Sequence, residues 1–215
     1  MSPRQKITAI DAQERRGNRR SIFINGRFAL GVDETVIADL GLHVGQEISE
    51  EELGRVVRTE LLVKARERAL RLLEYRARSR AELARRLRLA GFAEDIIEEV
   101  LVRLSETGLV DDARFSQSWV ESRSAGRSIG KTRIKWELRQ KGIDADLVEE
   151  ALSEIDEETE YKLAARAARA KWDKDRSPDV SVKRRRLASY LQRQGFGWDV
   201  IKKTVNQLAA DDEDE

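Results

Sequence analysis

Apolar residues fall four apart along much of this chain, and one such spacing occurs three times. Leu83, Leu87, Gly91-Phe92, Ile96, Val100 and Leu104 form the first copy. Ile134, Leu138, Gly142-Ile143, Leu147, Ala151 and Ile155 form the second, and Leu187, Leu191, Gly195-Phe196, Val200, Thr204 and Leu208 the third. The copies are displaced by 51 and then 53 residues. Side chains four apart share one face of a helix. Glycine reaches left-handed backbone angles cheaply and closes a helix, and the apolar residue after it packs back on the helix just left. Each copy therefore predicts helix, glycine stop, tight turn, helix. A further helical stretch precedes each copy, at 65–75, 113–123 and 157–172. A fixed period of this size marks tandem supersecondary units. The predicted fold is mainly α: a tandem array of three three-helix repeats.

The pattern changes before residue 49. Segments 7–10 and 21–24 read as short strands, Asn25-Gly26 is a strong hairpin signal, and 27–31 supplies the return strand. Ile22, Phe23, Ile24, Phe28 and Leu30 give this hairpin two partly apolar faces. A lone hairpin is marginal in water, so it must gain the 7–10 strand or pack on the first helix. Residues 35–40 predict a short helix stopped at Gly41. Ser49 with Glu52, and Ser79 with Glu82, fit capping boxes that open helices. Asp111 or Asp112 caps the first helix of the second repeat, and Pro178 lies in a loop of the third. The expected division is a β-rich extension at 1–48, repeats at 49–110, 111–156 and 157–210, and an acidic disordered tail at 211–215.

Composition narrows the function classes. Charged residues make up 38% of the 215 positions, aromatics only 6%, and there are two prolines. This fits surface-rich helices around thin cores. With no cysteine there are no disulfides or thiolate metal ligands, and a reducing compartment is permitted. No apolar run approaches the length of a membrane span, and the first residues are polar, so neither span nor signal peptide is expected.

The net charge of +1 hides a segregation. Arg76, Arg78, Arg80, Arg85, Arg86 and Arg88 stand against Glu82 alone. Arg123, Arg127, Lys131, Arg133, Lys135, Arg139 and Lys141 stand against Glu137. Lys183, Arg184, Arg185, Arg186 and Arg193 have no acid among them. The helix after the glycine is acidic in the first two repeats. Clustered cations of this kind are the footprint of a polyanionic or acidic-protein partner. A solvated helix face is the simpler reading of any one such cluster, and their recurrence favours binding.

Other chemistry is weak. Gly126 to Thr132 resembles a phosphate loop, but three residues rather than four separate its glycines and no strand pattern precedes it. An inter-helix loop whose Gly130 starts the next helix is the better reading. His43 is the only histidine and there is no cysteine to share a metal with it, so a solvent-facing residue in the loop between Gly41 and Gly45 is the better reading. No catalytic constellation, cofactor site or metal site is expected, and the chain does not read as an enzyme. Trp119 and Trp172 are expected in the core, whereas Trp136 and Trp198 fit core and interface equally. A helix-turn-helix reader of DNA is disfavoured, because the helix after the turn is acidic in two repeats.

Specific blocks then resemble a known family. Ser79-x-x-Glu82-Leu83, Leu87 and Gly91-Phe92 resemble the first repeat of the RecX regulators. Gly108 to Asp112, Phe115, Trp119-Val120, Arg123, Gly130, Ile134, Glu137-Leu138 and Lys141-Gly142-Ile143 resemble that family's most recognisable block. Arg186-Leu187, Tyr190-Leu191, Arg193 and Gly195-Phe196 are similar to its third repeat. Asn25 to Gly31 and Leu42-x-x-Gly45-Gln46 are similar to the extension of longer members. The resemblance spans 7–208, and the acidic tail lies outside it. It implies a monomeric cytoplasmic bacterial protein of DNA repair, homologous recombination and the SOS response. Its partner would be the RecA filament, with single- and double-stranded DNA bound weakly or through the filament. It would modulate, and by expectation inhibit, RecA ATPase, strand exchange and coprotease activity. The residues expected to contact filament or DNA are Arg78, Arg85, Arg86, Arg123, Arg127, Lys131, Arg133, Lys135, Arg139, Arg184, Arg185 and Arg186. The alternative is a helical nucleic-acid-binding protein acting directly on DNA.

Overall fold

The computed structural model describes residues 5–13, 17–126, 128–177 and 179–213. Two compact units divide the chain: Met1–Ala77 with Leu83–Leu109, and Arg78–Glu82 with Val110–Glu215.

The first unit opens with four antiparallel strands. They are β1 (Gln5–Ala12), β2 (Arg19–Ile24), β3 (Arg27–Asp33) and β4 (Glu47–Ile48), in the order β3-β2-β1-β4. Asn25 and Gly26 both have positive φ, at 51° and 78°, the paired left-handed conformation that a tight hairpin needs. The strand at the N-terminus does join the hairpin, and β4 adds a short pairing that carries no alternation of its own. Helix α1 (Glu34–Asp39) follows, capped by Asp33. Ile7, Ile22, Ile24, Val32, Val36, Leu42, Ile48 and Val56 form a buried core between this sheet and α2 (Glu50–Tyr75). Ser49 and Glu52 make the reciprocal capping box at the start of α2. Buried Glu60 on α2 accepts from Arg19 at 2.7 Å, from Lys64 at 3.0 Å and from the Asp33 backbone N–H at 2.7 Å. This network fastens the sheet to the helix. The unit is completed by Leu83 onward of α3 (Arg80–Leu89), and by α4 (Glu94–Glu106), which packs on α2.

The second unit holds α5 (Asp112–Gly126), α6 (Lys131–Gln140), α7 (Ala145–Ser153), α8 (Glu157–Trp172), α9 (Val180–Gln194) and α10 (Trp198–Glu213). In each triplet the first helix packs on the third: α2 on α4, α5 on α7, α8 on α10. The second and third triplets do not keep separate cores. One cluster runs from Phe115 and Val120 through Ile134, Leu138 and Val148 to Leu187, Leu191 and Ile201.

Leu87, Leu138 and Leu191 are each 0% exposed, as the repeated pattern requires. Gly91, Gly142 and Gly195 have φ of 89°, 75° and 87°. The residue after each glycine donates its N–H to the carbonyl of that buried leucine, at 3.3, 3.2 and 3.3 Å. These are three copies of one glycine-closed helix end.

One expectation needs correction. The acidic run does not leave the helix at residue 211, because α10 continues to Glu213 behind the strong helix formers Ala209 and Ala210; residues 214–215 lie outside the described residues. Of the two candidate caps for α5, Asp111 is the one used. Asp111 accepts from the Arg114 N–H at 2.9 Å, while Asp112 accepts from the Arg80 N–H at 2.8 Å and so serves the start of α3.

Candidate partner-binding surface

The second helices of the triplets, α3, α6 and α9, carry most of the candidate cations. Their ends meet in a repeated joint. The Ser79 hydroxyl at the start of α3 donates to the Lys141 carbonyl at the end of α6, at 2.6 Å. The Gly130 and Thr132 N–H groups at the start of α6 donate to the Gln194 and Gly195 carbonyls at the end of α9, at 2.9 and 3.1 Å. At the second joint orphan N–H donors of one helix satisfy orphan carbonyls of another, and at the first the Ser79 hydroxyl does so. The approach leaves no room for a side chain. A Cβ on Gly142 would overlap Ala81, and one on Gly195 would overlap the Arg133 backbone. A Cβ on Gly130 would overlap the Gly195 carbonyl. The segment that resembled a phosphate loop is therefore an inter-helix joint. Each joint has a polar pair on its flank: Lys141 Nζ lies 3.2 Å from Glu82, and Arg133 donates to Gln194 at 3.1 Å.

Around Trp119 several cations are consumed internally. Trp119 stacks on Phe115 with ring centroids 5.8 Å apart and donates its indole N–H to Glu137 at 3.0 Å. Arg123 donates to the same Glu137 at 2.6 Å, and its guanidinium lies 4.1 Å from the Trp119 ring centroid. Lys141 Nζ is also 4.1 Å from that ring. Burial alone would raise the Glu137 carboxyl. The hydrogen bond and charge of Arg123, the Trp119 indole and the charge of Arg133 outweigh it and hold Glu137 below its ordinary range. For Asp112 burial wins over the Arg80 N–H bond and raises the carboxyl.

The candidates sort accordingly. Arg78 is 8% exposed and engaged within the protein, so the expectation of a solvent-facing cation there is corrected. Its place next to the buried cap Ser79 draws it inward. Arg123 is spent on Glu137 and Trp119, which corrects its assignment to a free face. Arg133 is half-buried between Glu137 and Gln194. Lys135 pairs with Glu149, Arg184 donates to Asn206 at 2.6 Å, and Arg186 pairs with Asp175 at 3.1 Å. Lys131 is half-buried near Asp156, and Arg185 is exposed near Asp179. Arg85, Arg86 and Arg139 are exposed, with no ionic or hydrogen-bonded partner among the described residues. Arg127 lies outside the described residues. Elsewhere in the first unit, the arginines of α2 and α4 are largely answered by acids, as where Arg58 meets Asp95 and Glu99.

Trp172 is buried and Trp119 packs against the core. Trp136 and Trp198 are 62% and 65% exposed. Aligning the three copies on their glycines would have exposed Trp136 in advance, since its counterparts are Arg85 and Ser189. No helix among the described residues is long and apolar enough to cross a membrane.

Comparison with known proteins accounts for the whole arrangement. The family model for the RecX N-terminal domain matches residues 5–49, and those for the first, second and third RecX three-helix domains match 65–104, 111–152 and 158–205. Regulatory protein RecX of Clostridioides difficile (strain 630) is 32% identical over 207 residues, covering 96% of this chain and 97% of the relative. Regulatory protein RecX of Streptomyces coelicolor is 39% identical over 143 residues, 66% of this chain and 76% of that one. A crystal structure of regulatory protein RecX superposes with a TM-score of 0.77 at 27% identity, over 94% of this chain and 99% of that chain. The crystal structure of RecX from Lactobacillus salivarius gives 0.65 at 25% identity, over 70% and 97%. With all four segments matched in order and full-length relatives alongside, the chain belongs to the RecX family of regulatory proteins.

Proposed function

We propose that this chain binds RecA–DNA filaments and restrains RecA, lowering its ATPase, strand-exchange and coprotease activities. Membership of the RecX family supports the partner. Among the candidate cations, the observation that carries the contact is that Arg85 and Arg86 in the first unit, and Arg139 in the second, are exposed and have no ionic partner among the described residues. An unanswered guanidinium offers a planar fork to a carboxylate of RecA or a phosphate of its DNA. Arg185 and Lys131 add to the cations of the second unit, while Arg78 and Arg123 support the fold instead. On this reading the chain acts in the cytoplasm as a monomer laid on the filament.

The test is RecA ATPase on single-stranded DNA, titrated with the unmodified chain and with an Arg85→Ala, Arg86→Ala, Arg139→Ala, Arg185→Ala variant. The unmodified chain should suppress turnover. The variant should need more protein to do so, and its salt dependence should flatten by up to about 0.7 for each phosphate it no longer neutralises. A RecA ATPase indifferent to the unmodified chain at every concentration would overturn the reading.

A further inference from the structure

Two exposed tryptophans flank one joint of the second unit. Gly195 meets Arg133 there. Trp136 stands three residues beyond Arg133 on α6, and Trp198 stands three residues beyond Gly195 at the start of α10. In the second unit these are the only large hydrophobic side chains exposed among the described residues; no exposed Leu, Ile, Val or Phe accompanies them. The surroundings are cationic and polar. Thr132, Arg133, Arg139 and Gln140 lie one turn from Trp136 on its helix. Arg193 and Lys202, either side of Trp198, are exposed and have no partner among the described residues.

A free lysine and the lack of other exposed large hydrophobic side chains among the unit's described residues set this site apart from an apolar protein anchor. The centre of a protein interface is more apolar than its rim and depleted of Lys, although Trp and Arg are enriched there. Here only π faces are offered, with free cations beside them and no aliphatic area. That combination suits bases stacking on the rings while phosphates meet the cations. Trp119 and Trp172 show the alternative use of the residue in this fold, since Trp119 is packed against the core beneath Arg123 and Lys141 and Trp172 is buried beside Lys183. We infer that Trp136 and Trp198 form a base-stacking site for single-stranded nucleic acid, with Arg139, Arg193 and Lys202 holding its backbone.

The site needs no RecA, so it goes beyond the proposed function and can fail without it. The experiment is fluorescence anisotropy of a short labelled oligo-dT, and of an abasic strand of equal length, at low salt. The unmodified chain should bind oligo-dT and discriminate against the abasic strand. Trp136→Ala, Trp198→Ala should weaken oligo-dT binding by between about five-fold and a hundred-fold, the range of one stacked base. Trp136→Phe, Trp198→Phe should recover much of that loss, because phenylalanine keeps a π face. The salt slope should stay unchanged in the tryptophan variants and flatten in Arg139→Ala, Arg193→Ala, Lys202→Ala. Absence of oligo-dT binding by the unmodified chain would overturn the site. So would equal affinity for the abasic strand, or Ala variants that bind as the parent does. A loss confined to RecA filaments would also overturn it, by assigning the indoles to a protein contact.

Discussion

Gly91 and Gly195 end their helices with the same φ and the same pair of backbone bonds, and they differ in what lies against them. Nothing stands within 4 Å of a Cβ built on Gly91, whereas one on Gly195 would strike the Arg133 backbone. The first glycine is required by local conformation alone. The second is required by conformation and by the close approach of another helix. Position 137 against position 86 makes the same contrast between equivalent sites. Glu137 is tied to Arg123, Trp119 and Arg133, while Arg86 lies in solvent. One repeated pattern thus carries a light local duty in the first unit and a heavier tertiary duty in the second.

The sharpest way to break this comparison is in the core. Leu138→Ala should cost about 2–5 kcal/mol, and because the second and third triplets share one cluster it should weaken both in a single denaturation transition. Leu87→Ala should cost a similar amount without changing the melting of fragments from the second unit. Separate transitions for the second and third triplets would contradict a shared core. Next come the glycines. Gly195→Ala should cost roughly 2–5 kcal/mol, left-handed strain plus overpacking. Gly91→Ala should cost only about 1–2 kcal/mol, from strain alone. Equal denaturation midpoints for the two variants would erase the distinction.

Glu137→Gln should cost about 2 kcal/mol, as a charged hydrogen-bond network is weakened. It should also alter the acid limb of stability. The folded Glu137 carboxyl sits below its unfolded value, so its contribution is present above that unfolded value and is lost as pH falls through the folded one. The variant should therefore lose less stability than the parent on acidification, measured by urea midpoints across that range. Arg86→Ala should have the smallest effect, within about 0.5 kcal/mol. A larger cost would mean that α3 has a tertiary tie like that of α6.

The helices, their glycine ends and the capping box of α2 were legible because each is written within a few residues. Leu83, Leu87 and Gly91 specify one another at short range. The joints were not legible, because Ser79 with Lys141 and Gly130 with Gln194 are distant in sequence and ordinary in type. Charge counting could not separate Arg85 from Arg78, since both belong to one cationic run and only packing turns one outward. Arg123 did carry a signal: it follows Trp119 by four residues, the spacing at which a guanidinium reaches an indole on the same face.

The joint also has a direction. Each contact presses the start of one second helix against the glycine turn of the next, so an array of such triplets has two unlike ends. At one end the turn at Gly91 stands open. At the other, α9 begins four residues earlier relative to its glycine than α3 and α6 do, and Lys183 fills the place of Ser79 and Gly130. Its ammonium group lies over the Trp172 ring. Where Ser79 and Gly130 offer a donor to a neighbouring turn, α9 offers a side chain already folded onto its own triplet.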